Sequence, residues 1–436
     1  MATGDVEGLP SELDYFEPSM YQSSILAEYD RDFNPLSTIT QGAPIEFFIR
    51  GADNLYLDLN NSKYDIKLKV TKEDNSALTD ATSVAPVNLL LHSLFSSAEM
   101  ELGGKPITDP NSNYPYRSFI ETIINYPHRV LETRMLGEGW TKDTSGKMSV
   151  TAPAGDNLGL KARGLWTGSS ATIRLVGRPH FDLFHQDKLI PGNIDVKFRF
   201  IPNKANWLLK TAAPGDRETQ VQYKVQILAV RLLIRTKEIA PSLAIAHERL
   251  LQTTNYKIAY NKVTTKTISI ASGTTVFEQD NIYMGLLPDL VVLALIADAD
   301  MAGGYQRNPF NFQNFDLNYL ALKANGEQVP RLAHRPDFAN KDYINSYIAV
   351  LSALGYDIGP NCWDLTPQEW ANGYTIFAFK ITPGPIGTIR SPPRTGSIRL
   401  ELKFSSATGA NINVLLLSQQ PAELQIDKFK NIINSQ

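Results

Sequence analysis

The stretch Met100-Glu101-Leu102-Gly103-Gly104-Lys105-Pro106-Ile107 returns 222 positions later as Leu322-Lys323-Ala324-Asn325-Gly326-Glu327-Gln328-Val329. Both copies run apolar, charged, apolar, turn former, glycine, charged, variable, β-branched. Two extended segments about Gly-Gly or Asn-Gly form a β-hairpin, because those residues reach the positive φ values that a two-residue turn requires. A second echo follows in the same order. Ile194-Asp195-Val196-Lys197-Phe198-Arg199-Phe200 matches Ile398-Arg399-Leu400-Glu401-Leu402-Lys403-Phe404 at an offset of 204. Two echoes in one order mean a duplicated domain rather than a chance hairpin.

The flanking sequence has the same character. Pro44-Ile45-Glu46-Phe47-Phe48-Ile49 opens a strand. Leu55, Leu57 and Leu59 alternate with Tyr56 and Asp58, and Ile66, Leu68 and Val70 alternate with Lys67 and Lys69. Period two with one charged face marks a half-buried antiparallel strand. A helix is expected over 116–126, with Phe119, Ile120, Ile123 and Ile124 on one face and Pro127 as its stop. Residues 137–170, rich in Gly, Ser, Thr and Ala, read as an excursion loop that differentiates the outer face of this copy. Strands resume over 171–176, 194–201 and 221–234.

The second half repeats the pattern, with strands over 267–277 and 286–297 and from 315 towards Asn325-Gly326. A helix follows over 342–354, with Tyr343, Tyr347, Val350 and Leu354 at helical spacing, and then strands over 374–379, 398–404 and 412–417. The run Leu290 to Ala297 is apolar throughout and reads as a strand buried on both faces. That makes about eight strands per half, a helix after the fourth, and no βαβ alternation. The expected class is all-β: two tandem eight-stranded jelly-roll sandwiches, each with one short inserted helix, joined by a helical linker. The divisions are an N-terminal arm over 1–42, a first roll over 43–236, a linker over 237–255, a second roll over 256–420 and a tail over 421–436. Pattern alone does not give the strand order.

Composition narrows the function. At 436 residues, 43% hydrophobic and 20% charged, the chain has the make-up of an ordinary globular protein of two or three domains. A formal charge of −3 provides no global attraction for nucleic acid. The single cysteine, Cys362, excludes an internal disulfide and reads as a structural thiol. Met1-Ala2-Thr3-Gly4-Asp5-Val6-Glu7 is acidic without an apolar core, so no secretory leader is expected. No apolar run approaches a membrane span.

Chemical motifs are incomplete. No phosphate-cradling Gly-x-x-x-x-Gly-Lys-Ser/Thr loop occurs. His247-Glu248-Arg249-Leu250-Leu251 begins like a zinc-protease helix but has Leu251 where the second histidine belongs. Asp298-Ala299-Asp300-Met301-Ala302-Gly303 begins like a calcium loop, yet Ala302 and Pro309 occupy positions where oxygen ligands belong. It reads as a solvated turn. His180 and His185 flank Phe181-Asp182-Leu183-Phe184 without the His-x-His pair of a cupin-type site, and read as hydrogen-bonding core or loop residues. Arg399 and Lys403 alternate with Leu400, Leu402 and Phe404, the solvent face of a strand. Arg390 and Arg394 bracket Pro392-Pro393 in a group too sparse for a nucleic-acid contact. No catalytic residue, cofactor or metal is expected.

Several segments together resemble the double jelly-roll major capsid proteins, or hexons, of Polinton/Maverick elements and adintovirus-like viruses, over about residues 17–426. They are Pro44-Ile45-Glu46-Phe47, Leu94-Phe95-Ser96 through Ile107, and Tyr114-Pro115-Tyr116-Arg117-Ser118-Phe119-Ile120-Glu121-Thr122. Further along come Asn308-Pro309-Phe310-Asn311-Phe312, Gly373-Tyr374-Thr375-Ile376-Phe377-Ala378-Phe379 and Glu423-Leu424-Gln425-Ile426-Asp427. Gly103-Gly104 departs from the Asn-Gly expected at that turn.

The resemblance implies a structural virion subunit, assembled inside the host cell. Its partner is itself: pseudo-hexameric homotrimers tile an icosahedral shell, joined by penton and minor capsid proteins. It implies no small-molecule substrate, no direct nucleic-acid binding and no transmembrane segment. Candidate interface residues are Tyr15, Phe16 and Tyr21 of the arm and Asn308, Pro309, Phe310 and Phe312. The last four read equally as the anchor of a lobe-to-lobe contact or as a simple loop filling. The alternative from another class is a carbohydrate-binding or glycan-processing double sandwich, which needs a cleft with paired carboxylates or an aromatic platform.

Overall fold

The computed structural model describes residues 21–79, 84–109, 113–212, 223–357, 363–382 and 392–435. The first half contains β1 (Ile25–Phe33), β2 (Ile45–Ile49), β3 (Leu55–Lys72), β4 (Phe95–Leu102), β5 (Lys105–Pro106), β6 (Ile173–Gly177), β7 (Val196–Pro202) and β8 (Tyr223–Ile239). They form two sheets in the orders β1-β8-β3-β6 and β2-β7-β4-β5. A two-residue ribbon pairs Ala85–Pro86 with Leu209–Lys210.

The second half contains β9 (Tyr256–Ile270), β10 (Val276–Leu286), β11 (Leu290–Ala297), β12 (Leu317–Ala324), β13 (Glu327–His334), β14 (Ile376–Lys380), β15 (Thr395–Phe404) and β16 (Ile412–Ile426). Its sheets run β9-β16-β11-β14 and β10-β15-β12-β13, with β17 (Ile432–Ser435) added beside β16. The two halves use one permutation of their eight strands, first-eighth-third-sixth and second-seventh-fourth-fifth. This is a jelly roll made twice.

The quoted hairpins are equivalent turns. Leu102 pairs with Lys105 and Ala324 with Glu327, about glycine and asparagine residues that all have positive φ. The second echo is displaced. Leu102 pairs with Val196, whereas Ala324 pairs with Ile398, so Val196 corresponds to Ile398 and not to Leu400. The structural offset is therefore 202 rather than 204. A slip of two leaves every side chain on its original face, which is why the alternation matched out of register. The Gly-Gly departure has a local cause. A Cβ at Gly103 would lie 3.2 Å from Ile432 Cγ1, and Lys105 Nζ donates to Ile432 O at 2.7 Å. The end of the second half presses on the turn of the first.

Four expectations are corrected. Residues 25–33, assigned to the N-terminal arm, form edge strand β1 of the first half. Its acids Glu28, Asp30 and Asp32 meet Arg231 and Arg235 of β8, with Arg235–Asp30 at 2.6 Å and Arg231–Asp32 at 3.0 Å. The ladder continues into β3 through Arg231–Asp65 at 2.7 Å and Lys237–Asp58 at 3.0 Å. Helices α1 (Tyr114–Asn125) and α4 (Ile344–Leu354) follow the fifth strand of each half, not the fourth. The excursion contains α2 (Leu158–Thr167), N-capped by Asn157. Finally, the expected tail is largely the end of β16 and β17. The linker is helical as expected, with α3 at Pro241–Leu251.

Candidate functional site at the junction of the halves

Helix α1 carries the junction. Pro115 suits its first turn, where no N–H is needed, and the chain turns extended at Tyr126 ahead of Pro127. Only one face was expected to be covered, but Arg117, Ser118, Glu121 and Thr122 are buried too, with Arg117 and Glu121 packed against His180 and Asp182 of the same half. At its start, Asn113 N donates to Thr265 Oγ1 of β9 at 3.0 Å. At its end, carbonyls that the helix cannot satisfy itself are taken by the second half. Trp363 Nε1 donates to Ile123 O at 2.9 Å, and Tyr356 Oη donates to Ile124 O at 3.0 Å.

Beside this helix lies an aromatic seam. Phe310 stacks on Phe119 with centroids 4.1 Å apart and planes 7° apart. Tyr116 and Trp207 meet Phe310 edge-on at 5.8 and 5.6 Å, and Phe312 meets Phe119 edge-on at 5.8 Å. Asn308 Nδ2 donates to Met148 O at 2.9 Å, across the same boundary. Asn308, Pro309, Phe310 and Phe312 are all buried. Of these candidates Asn308, Phe310 and Phe312 touch first-half residues of the same chain. Tyr21 is 88% exposed. Tyr15, Phe16 and Cys362 lie outside the described residues.

Under the seam is a buried polar cluster. Arg117 donates to Glu121 Oε1 at 3.0 Å and to Asp182 Oδ1 at 2.6 Å. Asp182 Oδ1 also accepts from Val263 N of β9 at 3.2 Å, which ties the cluster to the second half. His180 Nδ1 lies 2.5 Å from Glu121 Oε2. His92 reaches Tyr64 Oη at 2.7 Å, Tyr114 Oη at 3.1 Å and Glu138 Oε2 at 2.8 Å. Burial, reinforced by neighbouring His92, pushes His180 down to about 4, so it is neutral near pH 7. Burial also opposes ionisation of Glu121, but Arg117 and His180 outweigh it and hold the carboxyl well below its usual range. Removing one partner of such a buried pair typically costs about 3–5 kcal/mol. His180 and His185 were both read as hydrogen-bonding residues; His180 bonds Glu121, whereas His185 stands 4.0 Å from it. Glu121 lies 59 residues from His180 in sequence, and no local motif announces it.

The excursion faces inward as a clasp, not outward. Lys142 Nζ reaches Asp364 Oδ2 at 3.2 Å and Glu369 Oε1 at 2.9 Å. His128 pairs with Asp364, and Tyr374 Oη donates to Asp143 O at 3.1 Å. Buried Arg163 donates to Asp143 at 2.7 Å, to Thr141 O at 2.9 Å and to Pro86 O at 2.9 Å, which stiffens the excursion from inside. Gly146 N donates to Asn372 O at 2.9 Å.

The incomplete motifs have ordinary structural partners. His247 Nδ1 bonds Tyr56 Oη at 3.0 Å, and Glu248 pairs with Lys430 at 2.6 Å, fastening the linker helix to both halves. Residues 298–302 form a short helix rather than a solvated turn, with Asp298 accepting from Asn413 Nδ2 at 2.8 Å and Asp300 buried. Arg399 pairs with Glu278 and Glu401 on the outer face of its sheet, and Lys403 lies 5.2 Å over the Tyr319 ring. Arg390 lies outside the described residues.

No known family profile matches the chain. A Caenorhabditis elegans protein described as uncharacterized protein F54H12.2 is 20% identical over 356 residues, covering 78% of this chain and 80% of its own length. Among solved structures, a chain of the Sputnik virophage superposes with a TM-score of 0.64 at 12% identity, covering 99% of this chain and 92% of its own. The PBCV-1 virus capsid gives 0.59 at 9% identity, covering 97% and 99%. The mavirus major capsid protein gives 0.55 at 10% identity, covering 99% and 95%. The shared property at these identities is the fold, a double jelly roll over nearly the full length.

Proposed function

We propose that this protein is a major capsid protein of the Polinton/Maverick and adintovirus-like type, a structural subunit that forms pseudo-hexameric homotrimers. The observation that carries the reading is the repeated strand permutation, 1-8-3-6 over 2-7-4-5, built twice and fused along a buried seam. Two near-equivalent lobes in one rigid unit give a threefold assembly six similar edges, and closed cyclic symmetry satisfies self-complementary surfaces without open fibres. Support comes from nearly full-length fold similarity to the mavirus and PBCV-1 capsid chains and from the sequence segments quoted above. The polar cluster adds to it: Arg117, Glu121, Asp182 and His180 pair with one another beneath the seam, and Asp182 accepts from Val263 N of the second half. The role is mechanical. Self-assembly places the subunit in a virion shell alongside penton and minor capsid proteins.

The test is the mass of the purified full-length chain by sedimentation, followed by negative-stain microscopy. A species of three 48.5 kDa chains with a six-lobed outline is expected. A stable monomer at assembly concentrations, or one retained on immobilised glycan, overturns the reading.

A further inference from the structure

We propose that Glu121, His180 and His185 form a site for a divalent transition-metal ion, zinc in particular. One ligand atom from each lies within 4.8 Å of the other two. Glu121 Oε2 is 2.5 Å from His180 Nδ1 and 4.0 Å from His185 Nε2. The longer gap exceeds a hydrogen bond, and His185 forms none among the described residues. Zinc ligands stand roughly 3.3 Å apart around a tetrahedral ion with bonds of about 2.0–2.2 Å. An ion therefore enters by opening the His180–Glu121 contact by about 1 Å and drawing His185 inward. Two imidazoles and one carboxylate are a donor set suited to zinc, and the fourth position is left for water. With 29% of its side chain exposed, His185 supplies the path from solvent.

The surroundings are those of a supported site. Glu121 Oε1 is fixed by Arg117 Nε at 3.0 Å, and the His180 ring packs against His92 at 4.5 Å with planes at 81°. Such outer contacts orient ligands. The neighbouring trio His92, Glu138 and His180 is the weaker choice, because both His92 nitrogens are already engaged by Tyr64, Tyr114 and Glu138. Between His180 and His185 runs a short helical turn, Asp182–His185, whose Asp182 accepts from Val263 N of the second half. A bound ion would staple that turn to α1 and tighten the junction.

The test uses the full chain, stripped with chelator and titrated at neutral pH with Zn2+ by calorimetry and with Co2+ by visible absorption. One ion per chain is expected, with an intense tetrahedral cobalt band and a raised thermal midpoint. His185→Ala, at a partly exposed position, should fold like the parent without metal and weaken Zn2+ binding more than about 100-fold, beyond the loss from outer-contact changes alone. His247→Ala serves as the control and should bind normally. Absence of the cobalt band, or binding by His185→Ala equal to the parent's, overturns the assignment.

Discussion

His334 shows how one side chain can set the acid limit of this fold. Its ring is packed edge-on between Phe377 and Phe379 at 5.3 and 5.2 Å, and its Nε2 has no partner among the described residues. Burial pushes its pKa down to about 4 from an ordinary 6.5. The folded chain therefore holds His334 neutral, while the unfolded chain takes up a proton below about pH 6.5. Stability from this residue is complete above that pH, falls by about 1.4 kcal/mol per unit as pH drops, and levels off near pH 4. His334→Leu should remove this component. Urea unfolding of both proteins between pH 7 and 4 should diverge by about 3 kcal/mol in favour of the variant. Parallel curves would contradict the assignment. The aromatic neighbours were legible as the apolar run in 374–379, but the packing of His334 on β13 against the opposite sheet was not, so the sequence gives no hint of a titrating role.

At the level of elements, the turn at Gly103 is the sharpest case. Gly103 and Gly104 have φ of 55° and 76°, values that asparagine tolerates better than other non-glycine residues. The backbone therefore does not forbid Asn-Gly here. Ile432 crowds it, since a new Cβ would come within 3.2 Å of its Cγ1 and push that side chain aside, whereas the space around Gly104 is open. Gly103→Asn should lower the melting temperature and loosen β17, with faster amide exchange over 432–435, at a cost of about 1–3 kcal/mol. Gly104→Asn should cost distinctly less. Equal effects would mean that backbone conformation, not the contact with Ile432, selects glycine. The comparison also shows what was readable beforehand. Turn type, strand alternation and duplication depend on neighbours in sequence, and they were correct down to a slip of two. Strand β1 was misread although Glu28, Asp30 and Asp32 alternate, because its face is acidic rather than apolar and only Arg231, Arg235 and Lys237, some two hundred residues later, make sense of it. The helix in the excursion was hidden for a related reason: Arg163, the residue that anchors it, looks like a surface charge until Asp143 and Pro86 surround it.

For the whole molecule, the edge strand determines how far the N-terminus can be trimmed. Removing residues 1–20 leaves β1 and its ion-pair ladder intact and should preserve the parental melting temperature. Extending the deletion through Phe33 strips β1 from β8 and exposes an unpaired strand flank, an invitation to irregular association. Light scattering on heating should separate the two truncations, and the longer one should also lose the parent's salt sensitivity, because ion pairs on an exposed face weaken with ionic strength. Identical behaviour would show that β1 is dispensable. The seam where Phe310 meets Phe119 has a consequence for ancestry as well. Each repeat now supplies aromatic rings that the other covers, so the copies have ceased to be interchangeable. Severing the gene between them would not restore a free-living single-roll ancestor, because each fragment would carry an apolar wound shaped only for its sibling. Duplication here has become a one-way step, and later change in either repeat has to be answered in the other.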